Sequence, residues 1–155
     1  MEALLAEPAD VTVPRRPVRV LQLITSLERG GAENHLADLV HSQRAAGLVV
    51  GVAWVKGDGY WSSDFTAHGV TLFDLAMLRY GQMGPVRRLR EALRSFSPDV
   101  VHAHLPPAEL YARLALAGWR RRKLPMVVSK HAELPFHSGL FQGGKWLGRL
   151  VDARA

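Results

Sequence analysis

Two hydrophobic rhythms alternate along the chain. Val18, Val20, Leu21, Leu23 and Ile24 form a largely apolar run ending at Thr25 and Ser26, the pattern of a strand covered on both faces. Gly30 and Gly31 then open a segment in which Ala32, Leu36, Leu39 and Val40 fall at helical spacing, with Gly47 placed to end it. Val49 to Val55 predicts a second strand, closed by Lys56-Gly57-Asp58-Gly59, and a short helix over 61–68 leads to a third strand from Val70 to Leu75. Gly84-Pro85 starts a helix with Val86, Leu89, Leu93 and Phe96 on one face and arginines on the other. Ser97-Pro98 ends it before a strand from Asp99 to Leu105. Pro106-Pro107 begins a helix with Leu110, Leu114 and Ala117 in register and Gly118 after it, and Met126 to His131 predicts a fifth strand. Leu140, Leu147, Leu150 and Val151 suggest a last helix, and residues 1–17, with Pro8, Pro14 and Pro17, a mobile leader.

Strands alternating with helices predict an α/β domain over residues 18–155, a Rossmann-like doubly wound parallel sheet. Ligands of such sheets sit at the carboxyl ends of the strands, where the strand order reverses. At 155 residues, 48% hydrophobic and 22% charged, with a mean hydropathy of -0.01, the composition is that of one water-soluble domain. The absence of cysteine excludes disulfides, thiolate metal sites and cysteine nucleophiles. Glu2, Glu7 and Asp10 stand where a signal peptide needs positive charge, and the longest apolar run, Ala45 to Val55, is eleven residues, too short to span a bilayer. These features predict a cytoplasmic protein.

Charge is unevenly placed: residues 1–78 hold six basic and nine acidic side chains, whereas residues 79–155 hold fourteen and five. Arg87, Arg88, Arg90 and Arg94, then Arg120, Arg121, Arg122 and Lys123, are the densest positive stretches. They read either as solvated surface or as a patch able to touch anionic lipid or a phosphorylated substrate.

At the predicted strand ends, the Gly30-Gly31 turn brings backbone N–H groups and a helix N-terminus to one place, which suits a phosphate or a hydroxyl-bearing group. The patterns GxGxxG and GxxxxGK[ST] are absent, which argues against NAD-dependent enzymes and P-loop nucleotidases. After the fourth strand stand His102, His104 and Glu109, and after the fifth His131 and Glu133. Alternation puts His102 and His104 on one face. Three imidazoles and a carboxylate could bind zinc and support a hydrolase, but HxH is a loose pattern, and structural or sugar-contacting roles outweigh a metal site. Asp74 and Lys130 bring a phosphoacceptor domain to mind, but the acidic pair such a domain needs after its first strand is missing.

The segments VRVLQLITSLERGGAENHLADLV, SPDVVHAHLPPAELYARLAL and PMVVSKHAE together resemble the N-terminal domain of the family-four glycosyltransferases of GT-B fold. The resemblance implies the acceptor-side half of a GT-B architecture without its C-terminal domain. It implies sugar transfer from a nucleotide-sugar donor to a glycan or lipid-linked acceptor, with retention of anomeric configuration and without a metal or cofactor. On this reading the loop at Gly30 and Gly31 lies beside the donor phosphate and the acceptor, and His131 lies beside the transferred sugar as the catalytic candidate. His104 faces the cleft, and Glu33, Glu109 and Glu133 are lesser candidates for acceptor hydroxyls; from the residues themselves, His102 is expected to be packed. Family members continue into a domain carrying two glutamates eight positions apart; none of the seven glutamates here forms such a pair. The isolated chain is therefore expected to be inactive until a donor-binding domain is supplied in cis or in trans. The competing reading is a non-catalytic binding or scaffold module with a basic face. Neither expects nucleic acid as a partner.

Overall fold

A computed structural model describes residues 16–79, 81–117 and 124–129. Five strands, β1 (Arg19–Ser26), β2 (Val49–Lys56), β3 (Thr71–Asp74), β4 (Val100–His104) and β5 (Met126–Ser129), form one parallel sheet in the order β3-β2-β1-β4-β5. Between them run α1 (Gly31–Ala45), α2 (Ser62–Ala67), α3 (Gly84–Phe96) and α4 (Pro106–Leu116). The predicted Rossmann-like α/β architecture is present, with helices on both faces of the sheet.

Side-chain parity divides the core into two layers. Leu21, Leu23, Ala53, Val101 and Ala103 point to the face covered by α3 and α4, where they meet Val86, Leu89, Leu93, Phe96, Tyr111, Ala112 and Ala115. Ile24, Val50, Val52 and Trp54 point the other way, onto Leu36, Ala37 and Val40 of α1 and Phe65 of α2. The central strands are covered twice, which is why they read as nearly unbroken apolar runs.

Helix ends follow local chemistry. Gly47 takes φ +84 just after the Ala46 cap of α1, a conformation that costs a side-chain-bearing residue energy. Ser97 closes α3 in the left-handed region at φ 48, directly before Pro98. Arg16, which falls within the expected leader, reaches the fold through a two-pronged pair with Asp99 (3.0 and 2.6 Å).

The buried face of α4 differs from the expected one. Ala108, Glu109, Tyr111, Ala112 and Ala115 face inward, Leu110 is half-buried and Leu114 exposed. Small residues let α4 lie close to the sheet and to α3, so closeness of approach, rather than side-chain hydropathy, selects the face. The expected final helix, and residues 1–15, lie outside the described residues. Among the described residues, no helix is long and apolar enough to cross a membrane.

Candidate functional site at the sheet switch point

β1 and β4 are neighbours, yet the helices that follow them cover opposite faces of the sheet. The loop after Ser26 and the turn after His104 therefore flank the switch point, the place where open α/β sheets bind ligands.

On the β1 side, α1 begins at Gly31 with Gly30 as its cap, and its first backbone bond runs from Asn34 N–H to the Gly30 carbonyl (2.9 Å). The side chain of Glu33, in the first helical turn, folds back over this start. Its carboxylate accepts a hydrogen bond from Ser26 Oγ (2.7 Å), and the residue is 8% exposed. A Cβ at Gly30 would collide with that carboxylate, whereas one at Gly31 would meet nothing within 4 Å. The two glycines thus differ: a Cβ at Gly30 would make the Glu33 carboxylate shift, and Gly31 leaves open space at a helix N-terminus, where backbone donors and the helix dipole favour an oxygen-bearing ligand. Arg29 flanks the loop, donating to Tyr60 Oη (2.6 Å) and lying over its ring (4.5 Å). Together these contacts tie the β1 loop to the one after β2.

On the β4 side, His102 and His104 do share a face, their ring centroids 4.1 Å apart. Their environments reverse the expected assignment. His104, expected at the cleft, is fully buried and donates from Nε2 to Gln22 Oε1 (2.7 Å). The proton belongs on Nε2 because the Gln22 amide nitrogen already donates to Gln43 Oε1 of α1 (2.9 Å), leaving its oxygen as acceptor. The ring is drawn back under α1 instead of outward. His102, expected to be packed, is half-buried and bonded to Ser129 Oγ (2.8 Å) on β5.

Leu105, between His104 and α4, holds φ 72 and ψ 148, a region nearly reserved for glycine. Such a conformation costs on the order of 1–3 kcal/mol and persists only where surroundings enforce it. Here Ser129 O accepts from its N–H (3.3 Å), and its own carbonyl accepts from Glu109 N–H (3.1 Å). Glu109 is fully buried as well. Arg113 Nε and Nη2 both donate to its Oε1 (2.9 and 2.6 Å), while Oε2 has no hydrogen-bond partner among the described residues. Glu33 and Glu109, expected at acceptor hydroxyls, are thus held by internal partners, with one acceptor position remaining on Glu109.

Among the described residues, not every arginine of the predicted basic patch is surface. Arg87, Arg88 and Arg94 are exposed on α3, with Arg87 4.0 Å from Glu91. Arg90 instead turns inward and donates to the Ala115 and Leu114 carbonyls at the end of α4 (3.2 and 3.0 Å), satisfying groups the helix cannot. Arg120, Arg121, Arg122, Lys123, His131 and Glu133 lie outside the described residues.

Two features escaped the sequence reading. Gln22 is a polar residue at the centre of a doubly covered strand, and that placement was a usable signal. His41, Asp64 and His68 converge on the α1–α2 face, of which only the Asp64–His68 helical spacing was visible beforehand.

Among solved structures, the chain is similar in part to a formyltetrahydrofolate deformylase from Pseudomonas putida KT2440, with 19% identity and TM-score 0.47 over 59% of this chain and 31% of that one. It is also similar to glycinamide ribonucleotide transformylase 1 from Symbiobacterium toebii, with 20% identity and TM-score 0.44 over 56% of this chain and 41% of that one. The matched region spans less than half of either relative. No curated protein matches the chain. The glycosyltransferase family 4 model matches residues 29–154, from the glycine loop onward, and with more than half of its length accounted for in this way the chain belongs to glycosyltransferase family 4.

Proposed function

We propose that this chain is the acceptor-binding half of a retaining glycosyltransferase, a hexosyltransferase-like enzyme of polysaccharide or lipid-linked sugar assembly. A nucleotide-sugar donates the sugar, a glycan or lipid-linked acceptor receives it, and no metal or cofactor takes part. The observation that carries this reading is the α1 start at the switch point: Gly31 stands open beside a helix N-terminus in a chain of this family. Backbone N–H groups in the first turn of α1 would donate to phosphate or hydroxyl oxygens there. Glu33, already seated on Ser26, places a negative charge at the same helix end, which weighs against a second anion and in favour of a hydroxyl. In this reading the acceptor approaches the β1 loop, and most of the contacts to the donor diphosphate come from a second domain. His131 is assigned to the transferred sugar by resemblance. The reaction takes place in the cytoplasm, with Arg87, Arg88 and Arg94 facing an anionic membrane surface.

The commitment of Glu33, His104 and Glu109 to internal partners favours one second reading, a non-catalytic binding module. One experiment separates the two. The purified chain is incubated with a panel of UDP- and GDP-sugars and with saccharide or polyprenyl-phosphate acceptors, alone and with a family donor-binding domain added in trans. The half-enzyme reading expects negligible transfer alone and transfer when the domain is added. Robust turnover by the chain alone would sink it, and no transfer in either arrangement favours the module.

A further inference from the structure

Away from the switch point, α1 and α2 bring three metal-ligating side chains together. His41 Nε2 lies 2.7 Å from Asp64 Oδ2, and His68 Nδ1 lies 3.6 Å from Asp64 Oδ1. The two imidazole centroids are 4.5 Å apart, and one ligand atom from each of the three residues falls within 4.8 Å of the others. We propose that His41, Asp64 and His68 form a binding site for a borderline divalent cation, zinc foremost, that pins α2 to α1.

The donor set is two imidazoles and one carboxylate, the nitrogen-rich mixture that suits zinc, nickel or copper and is poor for magnesium or calcium. Tetrahedral zinc with bonds near 2.0–2.1 Å sets its ligand atoms about 3.3 Å apart. The 2.7 Å contact must therefore open slightly and the longest separation close by about an ångström or more, within reach of side-chain rotation at half-exposed positions. The metal takes the place of the direct His41–Asp64 contact, and water completes the fourth position. His68 Nδ1 also contacts the Asp64 carbonyl (2.8 Å), so the ring either exchanges that contact for the metal or turns to present Nε2.

The neighbours hold the donors in place. Phe65 packs edge-on against the His41 ring (6.1 Å), and Arg44 donates to the His68 and Leu48 carbonyls (3.0 and 2.8 Å), fixing the backbone under His68. Arg44 places a positive charge at this backbone, which moderates the affinity for a second cation. Helices of a parallel α/β sheet run antiparallel to its strands, so His41, late in α1, and His68, just after α2, lie toward the amino-terminal edge of the sheet. That is the end opposite Gly30 and Gly31. The cation is accordingly structural, bracing the β2–α2–β3 crossover, and takes no part in sugar transfer.

The test uses the full chain stripped with chelator and titrated with zinc chloride in a calorimeter, with magnesium chloride as control. Expected are one zinc per chain, no magnesium binding, and a melting temperature raised by roughly 5–10 °C at about a hundredfold excess of zinc over Kd. His68→Ala, at an exposed position, and Asp64→Asn, which keeps the shape, should each weaken zinc at least tenfold, with folding confirmed by far-ultraviolet circular dichroism. The absence of saturable zinc binding below about 100 µM would overturn the proposal. So would zinc binding unchanged in both variants, or abolished by His102→Ala while both variants retain it.

Discussion

Replacing Gln22 tests how much the buried polar chain His104–Gln22–Gln43 contributes to holding the switch point together. Gln22 and His104 are both fully buried, and Gln22 joins β4 to α1 through bonds of 2.7 and 2.9 Å. Losing two such bonds costs about 2 kcal/mol, and taking from a buried imidazole its Gln22 acceptor brings the loss to roughly 2–3 kcal/mol. Gln22→Leu keeps the volume and recovers about 1 kcal/mol by burying apolar atoms, leaving a net loss of about 1–2 kcal/mol. Gln22→Ala forgoes that gain and opens a cavity, so about 3–4 kcal/mol is expected. Urea titrations followed by circular dichroism would show both midpoints lowered, Ala further than Leu, with similar slopes. A cycle with His104→Phe should give a coupling of about 1 kcal/mol or more. Variants within about 0.5 kcal/mol of the parent, or a coupling near zero, would refute the network as a source of stability.

Further outcomes follow from the same contacts. Gly31→Ala should be neutral or stabilising by up to about 1 kcal/mol, since Ala is the better helix former and space is open, yet should impair transfer by an assembled enzyme. Gly30→Ala should destabilise by unseating Glu33, and thermal melts of the pair would tell them apart. Gly51→Ala puts a Cβ 3.0 Å from Phe96 Cζ and 3.2 Å from Leu21 Cδ1 and should cost about 1–3 kcal/mol, with partial recovery in a Phe96→Leu background, read from denaturation midpoints. Ser97→Gly relieves the left-handed backbone at the end of α3 and should stabilise by roughly 0.5–1 kcal/mol, offset in part by loss of the Ser97 Oγ bond to the Arg94 carbonyl; a lower melting temperature would contradict this.

Much of the architecture could be read in the sequence because each element carries its own signal. Apolar runs marked β1 and β2, and Gly84-Pro85 and Ser97-Pro98 bounded α3. Where two patterns competed within one element, hydropathy misled: in α4, Leu110 and Leu114 are more apolar than Ala108, Ala112 and Ala115, but the alanines fit the narrow space. The glycine loop was also legible, because strand–turn–helix order places it at the carboxyl end of β1; the switch point itself needed the spatial order of the strands. Which histidine turns inward was not, since parity treats His102 and His104 alike. Only the partners Gln22 and Ser129, 82 and 27 residues away, tell them apart. The His41–Asp64–His68 cluster was hidden for the same reason: its halves sit on different helices that the β2 crossover brings together.

The central claim is that the oxygen-bearing ligand of this family member is received where β1 and β4 diverge. The most direct test is a ¹⁵N–¹H correlation spectrum of the full chain, recorded while a panel of mono- and oligosaccharides is titrated in, with nucleotide-sugars as a parallel series. The account predicts saturable shifts from a saccharide confined to amides of residues 26–33 and of Leu105, Ala108 and Glu109, weakened in Gly31→Ala. Shifts that saturate elsewhere, such as along the outer face of α3, or an unchanged spectrum across both series, would contradict it.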